Sequence, residues 1–270
     1  MSSAGYQAWL DCHFDRERDC AVITGGSSGI GLEYLRLLAA AGCRCLVVSN
    51  EPDHFEAVRQ RLRSESITAP VEFIDCDLAN DAQLQTLEAR LANESVGILI
   101  NNAGFGLKGR FTDLPREAYR SIVAVNALAP VLLSRCVLRG MAARGRGLHI
   151  SVASINVASP MPKNAVYTAT KHLVWSYALA VAKEFEGSGI RFQLMLPGTT
   201  DTPFHVKQGV NPGAMVMPPA AVARRSLERL DQPIHIPNRS DRLMYPLGSR
   251  LPLGLRMRIA SWLMRKRLGV

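Results

Sequence analysis

The chain has 270 residues, 47% of them hydrophobic and 20% charged, which excludes a disordered polymer and fits one α/β domain able to bury its own core. Its formal net charge of +9 is uneven: from Arg224 onward eleven Lys/Arg face three Asp/Glu, which leaves the first 223 residues almost neutral. The cysteines Cys12, Cys20, Cys43, Cys45, Cys76 and Cys136 form no CxxC pair and have no histidine pattern beside them, so we expect no metal site and reduced thiols in a cytoplasmic protein.

Residues 1–19 read as a short extension ahead of the fold. Asp11, Asp15, Arg16, Glu17, Arg18 and Asp19 interrupt any apolar leader there, and no apolar run along the chain has bilayer-spanning length. Cys20 to Thr24 predicts a buried strand, followed by a glycine-rich turn and a helix over Ile30 to Ala41 that stops at Gly42. Cys43 to Val48 and Val71 to Ile74 predict the second and third strands, with a helix over Phe55 to Arg63 between them. Asp81 to Ala92 predicts a helix and Val96 to Ile100 the fourth strand. Pro115 to Arg144 holds one or two helices, Leu148 to Val152 a strand, Val166 to Glu186 a long helix and Ile190 to Leu196 a further strand. This alternation specifies a parallel sheet with helices on both faces. Thr199 to Pro219, rich in Pro, Gly and Met, predicts an irregular lid over a site. Residues 20–249 thus form a single catalytic domain, and 250–270 a basic tail. Projected on a helix, the arginines of Leu251 to Leu268 do not collect on one clean face.

The turn Thr24-Gly-Gly-Ser-Ser-Gly-Ile-Gly31 lies between a strand and a helix. Gly25 suits the tight turn, Gly29 a close backbone approach to a pyrophosphate, and Gly31 the packing of helix on strand. With Ser27, Ser28 and Ile30, these residues put a helix N-terminus beside the phosphates. Further on, Tyr167 and Lys171 stand at i and i+4 and share a helical face, with Ser154 thirteen residues upstream. A free phenol ionises near pH ~10, and a nearby ammonium is expected to bring it down. This combination points to hydride transfer coupled to proton transfer.

Together these motifs resemble the short-chain dehydrogenase/reductase family in its compact branch. Asn101-Asn-Ala-Gly104, Asp77-Leu78, Asn126 and Pro197-Gly198 with Thr202 lie where that family's segments lie. The resemblance covers roughly residues 20–245. It implies a Rossmann-type doubly wound sheet, an NAD(P)-dependent exchange of ketone and secondary alcohol, and a homodimer or homotetramer. It assigns the substrate carbonyl to Ser154, the proton to Tyr167, the lowering of the phenol and the nicotinamide ribose to Lys171, and a water relay to Asn126. Ser151 and Ser159 compete with Ser154, and Asn126 could instead bond backbone inside its helix. Cofactor contacts are implied for Asp77, Leu78, Asn102, Ala103, Gly104, Pro197, Gly198, Thr200 and Thr202, besides Tyr167, Lys171 and the glycine turn.

At the end of the second strand, Ser49 stands where an NAD-type aspartate falls and Asn50 where an NADP-type arginine falls. The lack of a repelling carboxylate favours NADP, while Glu51 and Asp53 speak for NAD. Phe105, Leu107, Pro160, Met161 and Pro162, with the lid residues Phe204, Val206, Val210, Met215, Val216 and Met217, predict an apolar pocket and an apolar substrate. The tail from Arg239 onward resembles that of reductases acting on apolar ketones. No nucleic-acid partner is expected; weak contact of the basic tail with a membrane surface is. The competing reading is a catalytically silent NAD(P)-binding regulator, and an intact Ser154, Tyr167 and Lys171 argues against it.

Overall fold

The computed structural model describes residues 4–206 and 216–268. Seven parallel strands form one sheet in the order β3-β2-β1-β4-β5-β6-β7. The strands are β1 (Cys20–Thr24), β2 (Arg44–Ser49), β3 (Val71–Asp75), β4 (Val96–Asn101), β5 (Gly147–Val152), β6 (Ile190–Met195) and β7 (Ile234–His235). The helices are α1 (Ala4–His13), α2 (Gly29–Ala40), α3 (Phe55–Ser64), α4 (Asp81–Leu91), α5 (Arg116–Val123), α6 (Ala129–Ala143), α7 (Ala165–Glu184), α8 (Pro203–Val206), α9 (Pro219–Leu227), α10 (Arg239–Arg250) and α11 (Leu253–Leu268).

Strand residues alternate between two apolar layers, as a sheet covered on both faces requires. Ala21, Ile23, Cys45, Val47, Ile98 and Ile100 pack under α1, α2, α3 and α9. Cys20, Val22, Leu46, Val48 and Leu99 pack under α4, α6 and the end of α7. From β1 the chain winds outward to β2 and β3 on one side and then crosses to β4 on the other. That reversal opens a crevice at the carboxyl ends of β1 and β4, where open α/β sheets bind ligands.

Three features depart from the sequence expectations. The described part of the 1–19 extension belongs to the core: Trp9, Leu10 and Phe14 are buried, and Asp19, 1% exposed, accepts from Ser95 Oγ at 2.6 Å and pairs with Arg146 at 3.2 Å. Tyr6, Trp9, Leu10 and Phe14 stand at i, i+3, i+4 and i+8, a helical stripe that the intervening charges mask. β7 goes unread in the sequence because only two residues between Pro233 and Pro237 pair with β6. Over Pro115 to Arg144, where the sequence reads one or two helices, α5 and α6 join through a π-helical segment, Ala124–Leu128, into one helical run. This run, Arg116–Ala143, is long and apolar enough to cross a membrane, against the expectation of no such length; half of its most apolar window is buried inside the protein, which accounts for its composition.

Candidate functional site

The first wall of the crevice is built by backbone. Thr24 Oγ1 accepts from the amides of Asn102 and Ala103, both at 3.0 Å, and the Asn102 side chain donates to the carbonyls of Thr24 and Gly25 at 2.9 and 3.2 Å. The ends of β1 and β4 are thereby stitched together. Gly25 and Gly29 adopt φ of +65° and +55°, which side chains disfavour. A Cβ on Gly31 would lie 2.2 Å from the Gly25 carbonyl oxygen, so this position admits no side chain without a backbone shift. Ser28 begins α2 without a side-chain cap bond. The first amides of α2 therefore lack a side-chain acceptor and, with Gly29 and Ile30, form an anion cradle that fits a pyrophosphate.

Beyond the turn, Ser27 Oγ lies 2.8 Å from Ser49 Oγ and donates to Glu51 Oε2 at 3.2 Å. Ser49, Asn50 and Glu51 line the crevice together. Leu78 joins this wall and Asp77 does not; Asp77 holds the entry to α4, its amide donating to Gln83 Oε1 at 2.7 Å and its carboxylate accepting from Ala79 at 2.9 Å. The structure thus places Leu78 on the crevice wall and turns the Asp77 carboxylate to local backbone.

The second wall is built by buried side chains. Ser154 caps a short 3-10 turn, Ile155–Ala158; its Oγ accepts from Asn156 N at 3.2 Å and hydrogen-bonds the Tyr167 phenol. The competitor Ser151 is bonded instead to Tyr177 at 3.3 Å, and Ser159 to the Pro160 carbonyl at 3.3 Å. Lys171, 5% exposed, donates to the Val152 carbonyl at 3.0 Å. Burial pushes the Tyr167 phenol up to about 12, with the Ser154 hydrogen bond opposing it, and pushes the Lys171 ammonium down to about 8. The expected lowering of the phenol by Lys171 is overridden, because both groups lose water when the helix packs on β5.

Asn126 sits in the π-helical segment and is fully buried. Its side chain exchanges hydrogen bonds with the Phe105 backbone at 3.0 and 2.8 Å and donates to Thr170 Oγ1 at 3.3 Å. Of the two roles left open by the sequence, backbone bonding is present, with Phe105 as its partner. Asn126 lies behind the wall: a Cβ on Gly104 would meet Asn126 Oδ1 at 3.1 Å and Lys171 Nζ at 3.2 Å.

These walls enclose about 780 Å³. Gly25, Ser27, Ser28, Gly29 and Ile30 line it after β1; Asn102, Ala103 and Gly104 after β4; Ser154, Tyr167 and Lys171 at the β5 end; and Pro197, Gly198, Thr200 and Thr202 after β6, with Thr202 reaching back to Gly29. Gly31 shapes the turn from outside this lining. Phe105, Leu107, Met161 and Phe204 supply apolar surface, and the Phe204 ring lies 5.7 Å from that of Tyr167. At the base of the lid, the Met217 amide donates to Thr199 O and the Asp201 amide to Met217 O, both at 3.0 Å. The lid residues Val210 and Met215 lie outside the described residues.

Asn164 and Asp241 are among the wall residues that the sequence reading misses. Asn164, at the N-terminus of α7, keeps a buried side-chain oxygen without a hydrogen-bond partner among the described residues; its place three residues before Tyr167 was the available signal. Asp241, on α10, reaches the wall so closely that a Cβ on Gly198 would fall 1.9 Å from its carboxylate. No local pattern marks Asp241, because only the docking of α10 brings it there.

Residues 19–212 match the family model described as short chain dehydrogenase. A very-long-chain 3-oxoacyl-CoA reductase of Bos taurus is 29% identical over 198 residues, covering 72% of this chain and 61% of that protein; the chain thus spans about three-fifths of that relative's length. The structure superposes on a short-chain dehydrogenase from Sphingobium yanoikuyae in complex with NADPH, with a TM-score of 0.78, 28% identity and coverage of 87% of this chain and 96% of the other. It also superposes on a bulky-bulky ketone specific alcohol dehydrogenase from Comamonas testosteroni, with a TM-score of 0.73, 29% identity and coverage of 87% and 95%.

Proposed function

The chain belongs to the short-chain dehydrogenase/reductase family, and we propose that it is an NAD(P)-dependent oxidoreductase of CH–OH and C=O groups that reduces an apolar ketone, a 3-oxoacyl chain being the leading class, with NADPH as the favoured cofactor. The observation that carries this reading is the meeting of Ser154, Tyr167 and Lys171 at one end of a crevice whose other end is an uncapped helix N-terminus. When bound, NAD(P) supplies or accepts the hydride.

In this reading the glycine turn and the first amides of α2 hold the pyrophosphate, and the missing Cβ of Gly104 lets its backbone lie close to Lys171 and Asn126 beside the nicotinamide half. Ser154 Oγ holds the substrate oxygen next to the phenol. Tyr167 gives its proton to that oxygen in reduction. A phenol pushed up to about 12 is protonated throughout the neutral range, so it holds the proton that reduction requires. Lys171, with its ammonium pushed down to about 8, can return a proton toward Tyr167 near neutral pH. Asn126 is a positioning residue, fixing Phe105 and the Gly104 gap. Phe105, Leu107, Met161 and Phe204 support an apolar substrate, as does the specificity of the Comamonas relative for bulky-bulky ketones. Ser49 and Asn50 in place of a terminal carboxylate support NADPH, as does the NADPH bound by the Sphingobium relative.

The test is a cofactor-consumption screen over ketones and alcohols of graded polarity, with NADPH and NADH side by side. We expect the highest kcat/KM for long or bulky apolar ketones with NADPH; a preference for charged sugars or hydroxy acids would overturn the substrate class. Tyr167→Phe should keep cofactor affinity and lower turnover by roughly 10²–10⁴-fold. Turnover near wild type would remove Tyr167 from its role.

A further inference from the structure

We propose that α10 and α11 form a docking surface for anionic phospholipid bilayers and hold one wall of the crevice against the lipid. This goes beyond the reaction proposed above and is read out without any substrate.

The charge of the segment is one-sided. From Arg242 to Val270 the sequence has seven Lys/Arg and no Asp/Glu. Seven of the twelve large apolar side chains that stand exposed among the described residues fall between Leu243 and Trp262. On a neutral protein such a cluster would call for an apolar partner; here the partner must also accept cations.

Tertiary packing decides which face of α11 is presented. Arg256 donates to the Ala158 carbonyl at 2.9 Å, and Ala260, 3% exposed, is buried against Met161, itself part of the crevice wall. Arg256 and Ala260 therefore point inward. The opposite stripe carries Leu255, Arg258, Ile259, Trp262 and Arg265, spaced at i, i+3, i+4, i+7 and i+10. Trp262 is 55% exposed and Ile259 42% exposed. Arg258 and Arg265 form no ion pair among the described residues, and with Trp262 they border one surface recess. The sequence projection missed this stripe because it counted the inward-facing Arg256 with the others.

A bilayer with anionic headgroups matches the stripe group by group. Guanidinium groups meet lipid phosphates, Trp262 suits the headgroup level, and Leu255 and Ile259 reach the acyl boundary. A second copy of the chain fits worse, because a shared face would oppose two arginine stripes with no carboxylate between them. A nucleic acid would answer the charge and leave Leu255 and Ile259 in water. Docking would also bring the Met161 wall close to the phase in which apolar substrates dissolve.

The experiment is co-sedimentation of the full chain with vesicles of 70:30 phosphatidylcholine:phosphatidylserine and of phosphatidylcholine alone. We expect at least about tenfold stronger partition into the anionic vesicles, and a loss on the order of tenfold in the double variant Arg258→Gln/Arg265→Gln. Anionic vesicles should also blue-shift tryptophan emission, and Trp262→Phe should abolish that shift while Trp9 and Trp175 remain. Both variants change surface side chains, and an unchanged thermal melt verifies their fold. Equal partition into both vesicle types, or variants that bind like wild type, would overturn the proposal. So would tighter binding to a DNA duplex than to vesicles, or a dimer in light scattering that the double variant dissolves.

Discussion

The two ends of the crevice are made of different material. The glycine turn is defined by what is absent: positive φ at Gly25 and Gly29, a missing Cβ at Gly31 and an unfilled cap at Ser28. The end that carries Ser154, Tyr167 and Lys171 is defined by what is present and dry: a phenol, an ammonium and a hydroxyl among buried side chains. Backbone geometry is set within a few residues of chain, whereas burial depends on α7 packing across β5. The first end is therefore a cradle whose shape tolerates no added atoms. The second is an electrostatic device whose settings change with protonation.

Three measurements would break or sharpen this contrast. The largest effect belongs to the dry end. Lys171 has its ammonium pushed down to about 8 from 10.5, so between these values the unfolded chain binds more protons than the folded one. The contribution of Lys171 to folding stability should therefore rise as pH rises from about 8 to about 10.5, by about 3 kcal/mol at the upper limit, while the Cys20, Cys43, Cys45 and Cys76 thiols, pushed up by burial, lower stability above their ordinary range whether or not Lys171 is present. The raised Tyr167 phenol has the opposite sign and begins to lower stability above pH 10. Urea unfolding at stepped pH should show the Lys171 contribution as a difference: between pH 8 and 10.5 the stability of wild type should gain on that of Lys171→Met, the thiols acting equally in both. An identical slope in both proteins would mean that Lys171 is not dry.

Gly31→Ala probes the cradle. The new methyl would meet the Gly25 carbonyl oxygen at 2.2 Å, so the turn or α2 must move. We expect a cost of about 1–3 kcal/mol, read as a roughly 10–100-fold weaker Kd for NADPH by fluorescence titration. Affinity within twofold of wild type would show that the turn yields, and the contrast between the two ends would fail.

The smallest effect concerns the rim. Asn50 is exposed at the end of β2 and lines the crevice beside Glu51. Asn50→Arg adds a cation where a 2′-phosphate would lie and should raise the NADPH-over-NADH ratio of kcat/KM by about tenfold. An unchanged ratio would show that the Ser27–Ser49–Glu51 cluster, and not the rim, governs the choice.

Local chemistry made much of this legible in advance. The strand-and-helix alternation gave the parallel sheet, because buried parallel strands are short apolar runs. Thr24 to Gly31 and Asn101 to Gly104 marked the two loops that meet above β1 and β4. The Ser154 offset separated it from Ser151, which the structure ties to Tyr177. What stayed hidden lacked a local signal. α1 was masked by its charges, and the neighbouring Asp19 is buried only because Arg146 and Ser95 meet it there.

By itself, then, the sequence determined the layered sheet, the glycine turn and the order of the site residues, since periodicity and backbone conformation act over a few residues. Only the tertiary structure decided how those residues behave. It brought Asp241 to the crevice. It locked Asn126 onto Phe105, set the Tyr167 and Lys171 pKa values through burial and chose the outward face of α11. Each of these outcomes depends on which distant segment displaces water from a side chain.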